Sequence, residues 1–232
     1  MKKRSMVIGR GKTVSDKLAQ LYANRFDEAD RAWKDQVWGI LWNRVFSRWI
    51  EPRDTLLDLG AGYCEFINHA VAKRRIAVDL NPATRTAAAP GVEVLSCSAD
   101  SLTALRTGEV DVVFSSNFLE HLPSKAAVSA VLDEILRVLR PGGRVLFMGP
   151  NIRYLADRYW DYFDHHVPLS HESLREALEL HGFKIAHLEA RFLPYTVKGS
   201  RLRWPWLVRA YLALRPLSGR VLGRQFLAVA IK

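Results

Sequence analysis

The chain has 232 residues, 49% of them hydrophobic and 25% charged, with a formal net charge of +10 and two cysteines. These are globular proportions, and the length allows one sizeable core with a small cap but not two full domains of typical size. No apolar stretch reaches the roughly 18 residues that cross a bilayer, and no apolar run of secretory length follows the basic start MKKRSMVIGRGK.

Residues 1–12 carry five Lys/Arg and no acid, and are expected to lack fixed structure. Residues 13–50 read as a helical cap. Leu18, Leu21, Tyr22, Phe26, Trp33, Val37, Leu41, Val45 and Phe46 recur at helical spacing. Trp38, Trp42 and Trp49 widen that stripe beyond a surface helix, so two or three helices should pack on another layer. Pro52 ends them. From residue 51 the period changes. The runs 55–60, 75–80, 92–98, 110–116 and 143–149 are short, rich in Leu, Val and Ile, and separated by helical patterns. Runs without polar alternation suit strands buried on both faces of a parallel sheet. The clearest helix spans 124–139 and stops at Pro141-Gly142-Gly143. A second spans 170–182 behind a Ser170 cap, and 183–193 and 224–232 are expected as two closing strands. Strand–helix alternation of this kind predicts a doubly wound α/β sheet.

The first strand runs into Asp58-Leu59-Gly60-Ala61-Gly62-Tyr63-Cys64-Glu65, expected as a turn that opens a helix. Two glycines permit a sharp turn and close approach of a ligand to the main chain. Asp79 closes the second strand, where a carboxylate can accept from both ribose hydroxyls of an adenosine ligand. A dinucleotide fingerprint places its third glycine at position 65, where this chain has Glu65, and a carboxylate there opposes a pyrophosphate. S-adenosylmethionine has no phosphate and is cationic at sulfur and nitrogen, so an acidic turn suits it.

With these motifs the chain resembles the class I S-adenosylmethionine-dependent methyltransferases. LLDLGAGYCEF (56–66), AVDLNP (77–82), CSADSL (97–102), DVVFSSNFLEHLPS (111–124) and VLRPGGRVLF (138–147) follow that family's motif order across about residues 50–193. One departure is Cys64, where the family usually has a third glycine. The resemblance implies a Rossmann-like seven-stranded sheet, mostly parallel, with the last strand antiparallel. It implies that Asp58, Gly60 and Gly62 shape the methionine end of the cofactor pocket. Asp79 and Leu80 would hold the ribose, Asp100 and Ser101 would meet the adenine, and Ser116 and Asn117 would line the floor. Tyr22 would cap the pocket from the N-terminal helices, and Arg25 would pair with the methionine carboxylate.

Methyl transfer from a sulfonium asks chiefly for alignment, and a base matters when the acceptor is a hydroxyl or carbon acid. His121, after the fourth strand, is either such a base or structural. The run Tyr159-Trp160-Asp161-Tyr162-Phe163-Asp164-His165-His166 reads either as an aromatic wall followed by a base, His165, oriented by Asp164, or as an ordered loop whose histidines satisfy backbone groups. No helical spacing organises these residues as metal ligands, and no metal is expected. Cys64 and Cys97 match neither a disulfide framework nor a zinc spacing. They read as small buried residues in a reducing, cytoplasmic protein.

Charge points to the tail. Residues 190–232 hold nine Lys/Arg and no acid, while 13–189 hold 20 basic and 24 acidic residues. A nucleic-acid-binding protein more often carries its basic charge on the folded body. The insertion 196–223 interleaves Trp204, Trp206 and Tyr211 with Arg201, Arg203, Arg209 and Arg215, with a helix expected from Pro205 through Leu214. It suits either peripheral contact with an anionic membrane or a cover for the sheet or for a second subunit. The expected activity is methyl transfer to a small-molecule, glycan or lipid-linked acceptor. RNA or protein methylation, and non-catalytic cofactor binding, are the alternatives.

Overall fold

The protein is described by a computed structural model covering residues 28–195 and 204–232. In chain order its elements are α1 (Glu28–Arg44), β1 (Thr55–Leu59), β2 (Arg74–Val78), α2 (Ala83–Ala87), β3 (Val92–Leu95), β4 (Val110–Ser116), α3 (Lys125–Val138) and β5 (Leu139–Pro150). There follow α4 (Ile152–Leu155), α5 (His171–Leu180), β6 (Lys184–Glu189), α6 (Pro205–Ala213), α7 (Arg215–Leu222) and β7 (Gln225–Ile231).

The seven strands form one sheet in the order β3-β2-β1-β4-β5-β7-β6. The pairs from β3 across to β5 are parallel, and β7 runs antiparallel to both β5 and β6. The chain winds outward from β1 to β3, then returns to place β4 against the other side of β1. That reversal leaves a crevice beyond the carboxyl ends of β1 and β4, the usual ligand position in open α/β sheets.

The apolar runs behave as doubly buried strands should: Leu56, Leu57 and Leu59 of β1 and Val112 and Val113 of β4 are all fully buried. Two apolar layers sandwich the sheet. In one, Val128, Val131, Leu132, Ile135 and Val138 of α3 pack at helical spacing against Leu57, Val113 and Val145. In the other, Leu41, Trp42, Val45 and Phe46 meet Leu56, Phe66, Phe114 and Leu146. Phe66 stacks on Phe114 with centroids 3.6 Å apart, and Trp38 meets both rings edge-on. Trp38 and Trp42 therefore pack α1 onto the sheet. Residues 13–27 of the expected helical cap lie outside the described residues.

Three expectations change. First, no α-helix follows the first turn. Gly60, Gly62 and Cys64 all have left-handed φ (76°, 54° and 61°), and the stretch up to Lys73 is made of turns. Asn68 there sends its side chain to the main chain of Ala87 and Ala89, bonds that compete with helix formation. Second, Pro141-Gly142-Gly143 belongs to β5 as an interruption: the register shifts between Val110↔Leu139 and Val112↔Arg144. Third, the tail carries one helix more than expected: the helix expected from Pro205 through Leu214 is α6, ending at Ala213, and α7 follows it with Pro216 in its first turn.

Ser170 caps α5 in a reciprocal pair with Ser173, at 3.1 Å and 2.9 Å. Ser170→Ala is expected to lower unfolding free energy by about 1 kcal/mol, read as a lower urea midpoint with an unchanged slope.

Candidate functional site

The turn after β1 is held by the loop from Asp79 to Thr84, at the end of β2. The Asp79 carboxylate accepts from the Gly62 amide at 2.7 Å through Oδ2 and from the Asn81 amide at 2.7 Å through Oδ1. Buried Thr84 donates its hydroxyl to the Gly62 carbonyl at 2.6 Å. Both main-chain groups of Gly62 are thus fixed by that loop. Asn81 shapes it by accepting from the Ala83 amide at 3.0 Å, an Asx turn. Sequence spacing identifies Asp79 but not Thr84, whose only signal is the Asn-Pro-Ala-Thr string.

The two glycines face different surroundings. A Cβ on Gly60 would lie 2.6 Å from the Phe118 ring, whereas one on Gly62 would meet nothing within 4 Å. At Gly60 the close approach is therefore made by a side chain of this protein, not left open to a ligand, and the open face is at Gly62. Cys64 occupies the left-handed conformation that glycine takes most easily. Its thiol is buried and pushed up to about 12 by burial and then by Asp58, Glu65 and Asp79, so it is inert as a nucleophile.

The turn is strongly acidic. Asp58 is 3% exposed. Burial raises its carboxyl well above the ordinary range, and the nearby charges of Glu65 and Asp79 raise it further, against a hydrogen bond from the Ile67 amide. Burial raises Asp79 too, opposed by its backbone hydrogen bonds. Lys34 of α1 lies 3.8 Å from Glu65.

Other expected residues sit around the crevice. Leu80 is 47% exposed although apolar, and Asp100 and Ser101 are exposed beyond β3. Ser116 and Asn117 end β4. Asn117 adopts φ 49°, a sparsely populated conformation for a residue other than glycine, with its amide on Met148 O at 2.8 Å and its side chain on Ser116 Oγ at 2.9 Å. Tyr22 and Arg25 lie outside the described residues.

Two distant segments meet beside Phe118. A 3-10 turn (Leu119–His121) comes directly after it, and the Glu120 carbonyl accepts from the His166 and Val167 amides. Asp164 orients His121: its carbonyl lies 2.9 Å and its carboxylate 3.2 Å from His121 Nδ1. Burial lowers the His121 pKa, but the bond to Asp164 and the charges of Glu120 and Asp164 outweigh it, so the imidazole is held above its usual value. His165 is 5% exposed, edge-on to His121 at 5.0 Å and stacked on Tyr162. The expected aromatic wall is split. Tyr159 is fully buried, while Trp160 and Phe163 are 59% and 95% exposed. Sequence reading also misses Glu120, buried and shifted upward by burial, which joins His121 and His165 in one cluster.

Residues 57–147 match a family model described as a methyltransferase domain. A curated relative, chondramide synthase cmdD of Chondromyces crocatus, is 38% identical over 65 residues; these are 28% of this chain and only 2% of that much longer protein. Among solved structures, an S-adenosylmethionine-dependent methyltransferase from Archaeoglobus fulgidus superposes with a TM-score of 0.64 at 20% identity, covering 86% of this chain and 94% of the other. A chain from the complex of the Haloferax volcanii Trm112 methyltransferase activator with a methyltransferase gives 0.66 at 20% identity, covering 96% and 99%. The [4+2]-cyclase SpnF gives 0.57 at 17% identity, covering 85% and 80%.

The contrast between the glycines is measurable. Gly62→Ala is expected to cost about 1–2 kcal/mol for the left-handed backbone alone. Gly60→Ala is expected to cost more, because the methyl displaces Phe118 and adds an overpacking cost of about 1–3 kcal/mol. Urea unfolding of the two variants checks the order.

Proposed function

From the premise that the chain is a class I S-adenosylmethionine-dependent methyltransferase, we propose that it moves the cofactor's methyl group to a small-molecule, glycan or lipid-linked acceptor. The observation that carries the cofactor half of this reading is the acidic, doubly clamped turn at the β1/β4 reversal. Asp58, Glu65 and Asp79 crowd negative charge where the methionine end of the cofactor would bring an ammonium and a sulfonium. Gly62 leaves open space over its Cα, and the Asp79 carboxylate, pre-aimed by the Gly62, Asn81 and Leu80 amides, retains lone pairs for ribose hydroxyls. In this reading Leu80, Asp100 and Ser101 flank the nucleoside, and Ser116 and Asn117 form the floor. The cluster of Glu120, His121 and His165 stands on the acceptor side, with Asp164 orienting His121.

Asp79→Ala is expected to weaken S-adenosylmethionine binding by about 1.5–3 kcal/mol per lost charge-assisted bond, measured by calorimetry on protein of unchanged circular dichroism. An unchanged dissociation constant contradicts the ribose assignment.

Binding should also depend on pH with a defined sign. Asp58 and Asp79 have folded-state pKa values raised above the ordinary 3.8. The cofactor-free fold therefore holds their protons more tightly than the unfolded chain, and their contribution to its stability is lost as pH rises through the raised values. A cation favours the ionised carboxylates. Cofactor affinity, and the thermal shift the cofactor produces, should thus grow from mildly acidic to neutral pH. A flat profile contradicts the electrostatic reading.

A specific surface favours a lipid-linked acceptor. Arg44 and Arg48 face Arg209 and Arg215 across a cavity of about 520 Å³ between α1 and α6–α7. Burial and the charge of Arg215 lower the Arg48 pKa. Among the described residues only Arg215 of the four has an acidic partner within ion-pair distance, Glu189 at 3.3 Å. Beside them Trp204 and Trp206 stack while more than half exposed, and Leu217 and Val221 are exposed at 70% and 72%. Arg44 is ten residues along α1 from Lys34, about 15 Å at helical rise, so the arginines lie away from the cofactor turn and would anchor rather than react. Tyr211 and Leu212 turn inward against the core, so α6 both covers the body and presents its tryptophans. Among the described residues no helix is long and apolar enough to cross a membrane. Co-sedimentation with anionic vesicles is expected to exceed that with neutral ones and to fall with salt and in a Trp204→Ala/Trp206→Ala variant. Equal sedimentation in all arms removes this reading.

A further inference from the structure

We propose that Glu120, His121 and His165 form a binding site for one divalent transition-metal ion of the zinc class. Three observations meet at this point. Single ligand atoms from the three side chains all lie within 4.8 Å of one another, so side-chain rotation alone can bring them to the roughly 2.0–2.2 Å that imidazole and carboxylate ligands take on zinc. Glu120 is 4% exposed, and its Oε1 is buried without a hydrogen-bond partner. A carboxylate oxygen left so costs several times a made bond, and a cation would satisfy it. His121 has its Nδ1 engaged by Asp164 at 2.9 Å and 3.2 Å, which leaves Nε2 as its ligating atom. Metal-bound histidines are commonly oriented by a carboxylate or carbonyl on the other ring nitrogen.

The donor set fits the assignment. Two imidazoles and one carboxylate are three protein ligands of intermediate softness, the pattern of sites that keep a fourth position for water or substrate. The fold supplies the ligands from two places, Glu120 and His121 from the turn after β4 and His165 from the loop after β5. The pairing of the Glu120 carbonyl with the His166 and Val167 amides, at 2.8 Å and 3.1 Å, ties those places together. Sequence spacing could not show this, because the ligands are 44 residues apart in the chain.

This inference rests on the methyltransferase reading for its use, though not for its test. Phe118, against Gly60 of the cofactor turn, immediately precedes the metal-ligating turn. A hydroxyl bound at the fourth position would be acidified as water is on zinc and lose its proton to solvent. Its oxygen lone pair would form the O–CH3 bond while the S–CH3 electron pair returned to sulfur, leaving a methyl ether and S-adenosylhomocysteine. The acceptor class is accordingly an alcohol or phenol.

The test uses the full-length chain, stripped with chelator and titrated with Co²⁺ as the probe. The wild type is expected to bind one equivalent and to develop the visible d–d absorption of four- or five-coordinate cobalt, displaced by Zn²⁺. Glu120→Gln and His165→Gln should each abolish that spectrum, and Asp164→Asn should weaken binding about 10–100-fold. S-adenosylmethionine binding, measured on the same samples, should persist in every variant, so a missing metal site and a missing cofactor site give different results. Wild-type protein that binds no stoichiometric cobalt overturns the proposal whatever the variants do. So does cobalt binding unchanged by Glu120→Gln, which would mark an adventitious ion only, with His121 and Asp164 left as a metal-free base pair.

Discussion

The structure turns on the fixing of one peptide unit pair. Gly62 gives its amide to Asp79 and its carbonyl to Thr84, and the bend between β1 and β2 takes its shape from those two bonds. They add to the main-chain bonds from Gly60 and Ala61 to the Val78 carbonyl in holding the residues from Gly60 to Glu65, three of them in left-handed conformations, in one arrangement. With them, an acidic hollow stands open at the reversal of strand order, where burial raises the Asp58 and Asp79 carboxyls above their ordinary range. The same bonds fix the orientation of the Asp79 carboxylate, so the group that shapes the turn is also the group proposed to hold the ribose.

Packing under the turn makes the clamp rigid. Phe66 enters the aromatic layer against Phe114, Phe46 and Trp38, and Phe118 fills the space over Gly60. In place of a regular helix, the chain from Tyr63 to Lys73 is held by the buried Cys64, Phe66, Ile67 and Ala70, by turn bonds such as Asn68 N–H to the Cys64 carbonyl at 3.0 Å, and by the Asn68 side chain. The helix α1 then joins the turn to the far side of the molecule. Lys34 reaches Glu65, and Arg44 reaches the arginine cavity under α6. The proposed cofactor turn and the arginine-lined cavity under the tail therefore share one helix.

Much of this was legible in the residues, for physical reasons that differ from place to place. The strands were readable because runs such as Leu56-Leu57 and Val112-Val113 are buried on both faces and tolerate no polar alternation. Their ends, and α3 and α5, followed from turn and cap chemistry. Asp79 stood out in the sequence as the acid closing the second strand, and the structure has its carboxylate accepting from the Gly62 and Asn81 amides. The unreadable parts depend on contacts between distant segments. Asp164 engaging His121, and Glu120 joining both histidines, are matters of how the turn after β4 meets the loop after β5. The missing helix after Gly62 was hidden because Cys64 does not advertise a left-handed backbone as glycine would. In the tail the helix opened by Pro205 was readable from its proline, whereas α7, beginning at Arg215 with Pro216 in its first turn, was not anticipated.

A crystal structure with S-adenosylhomocysteine bound tests the account most directly. It should show the ribose hydroxyls on the Asp79 carboxylate, the amino group of the amino-acid end among Asp58 and Glu65, and Gly62 still clamped by Thr84. Density for the nucleoside elsewhere, or an Asp79 carboxylate that still serves only the Gly62 and Asn81 amides, would contradict it.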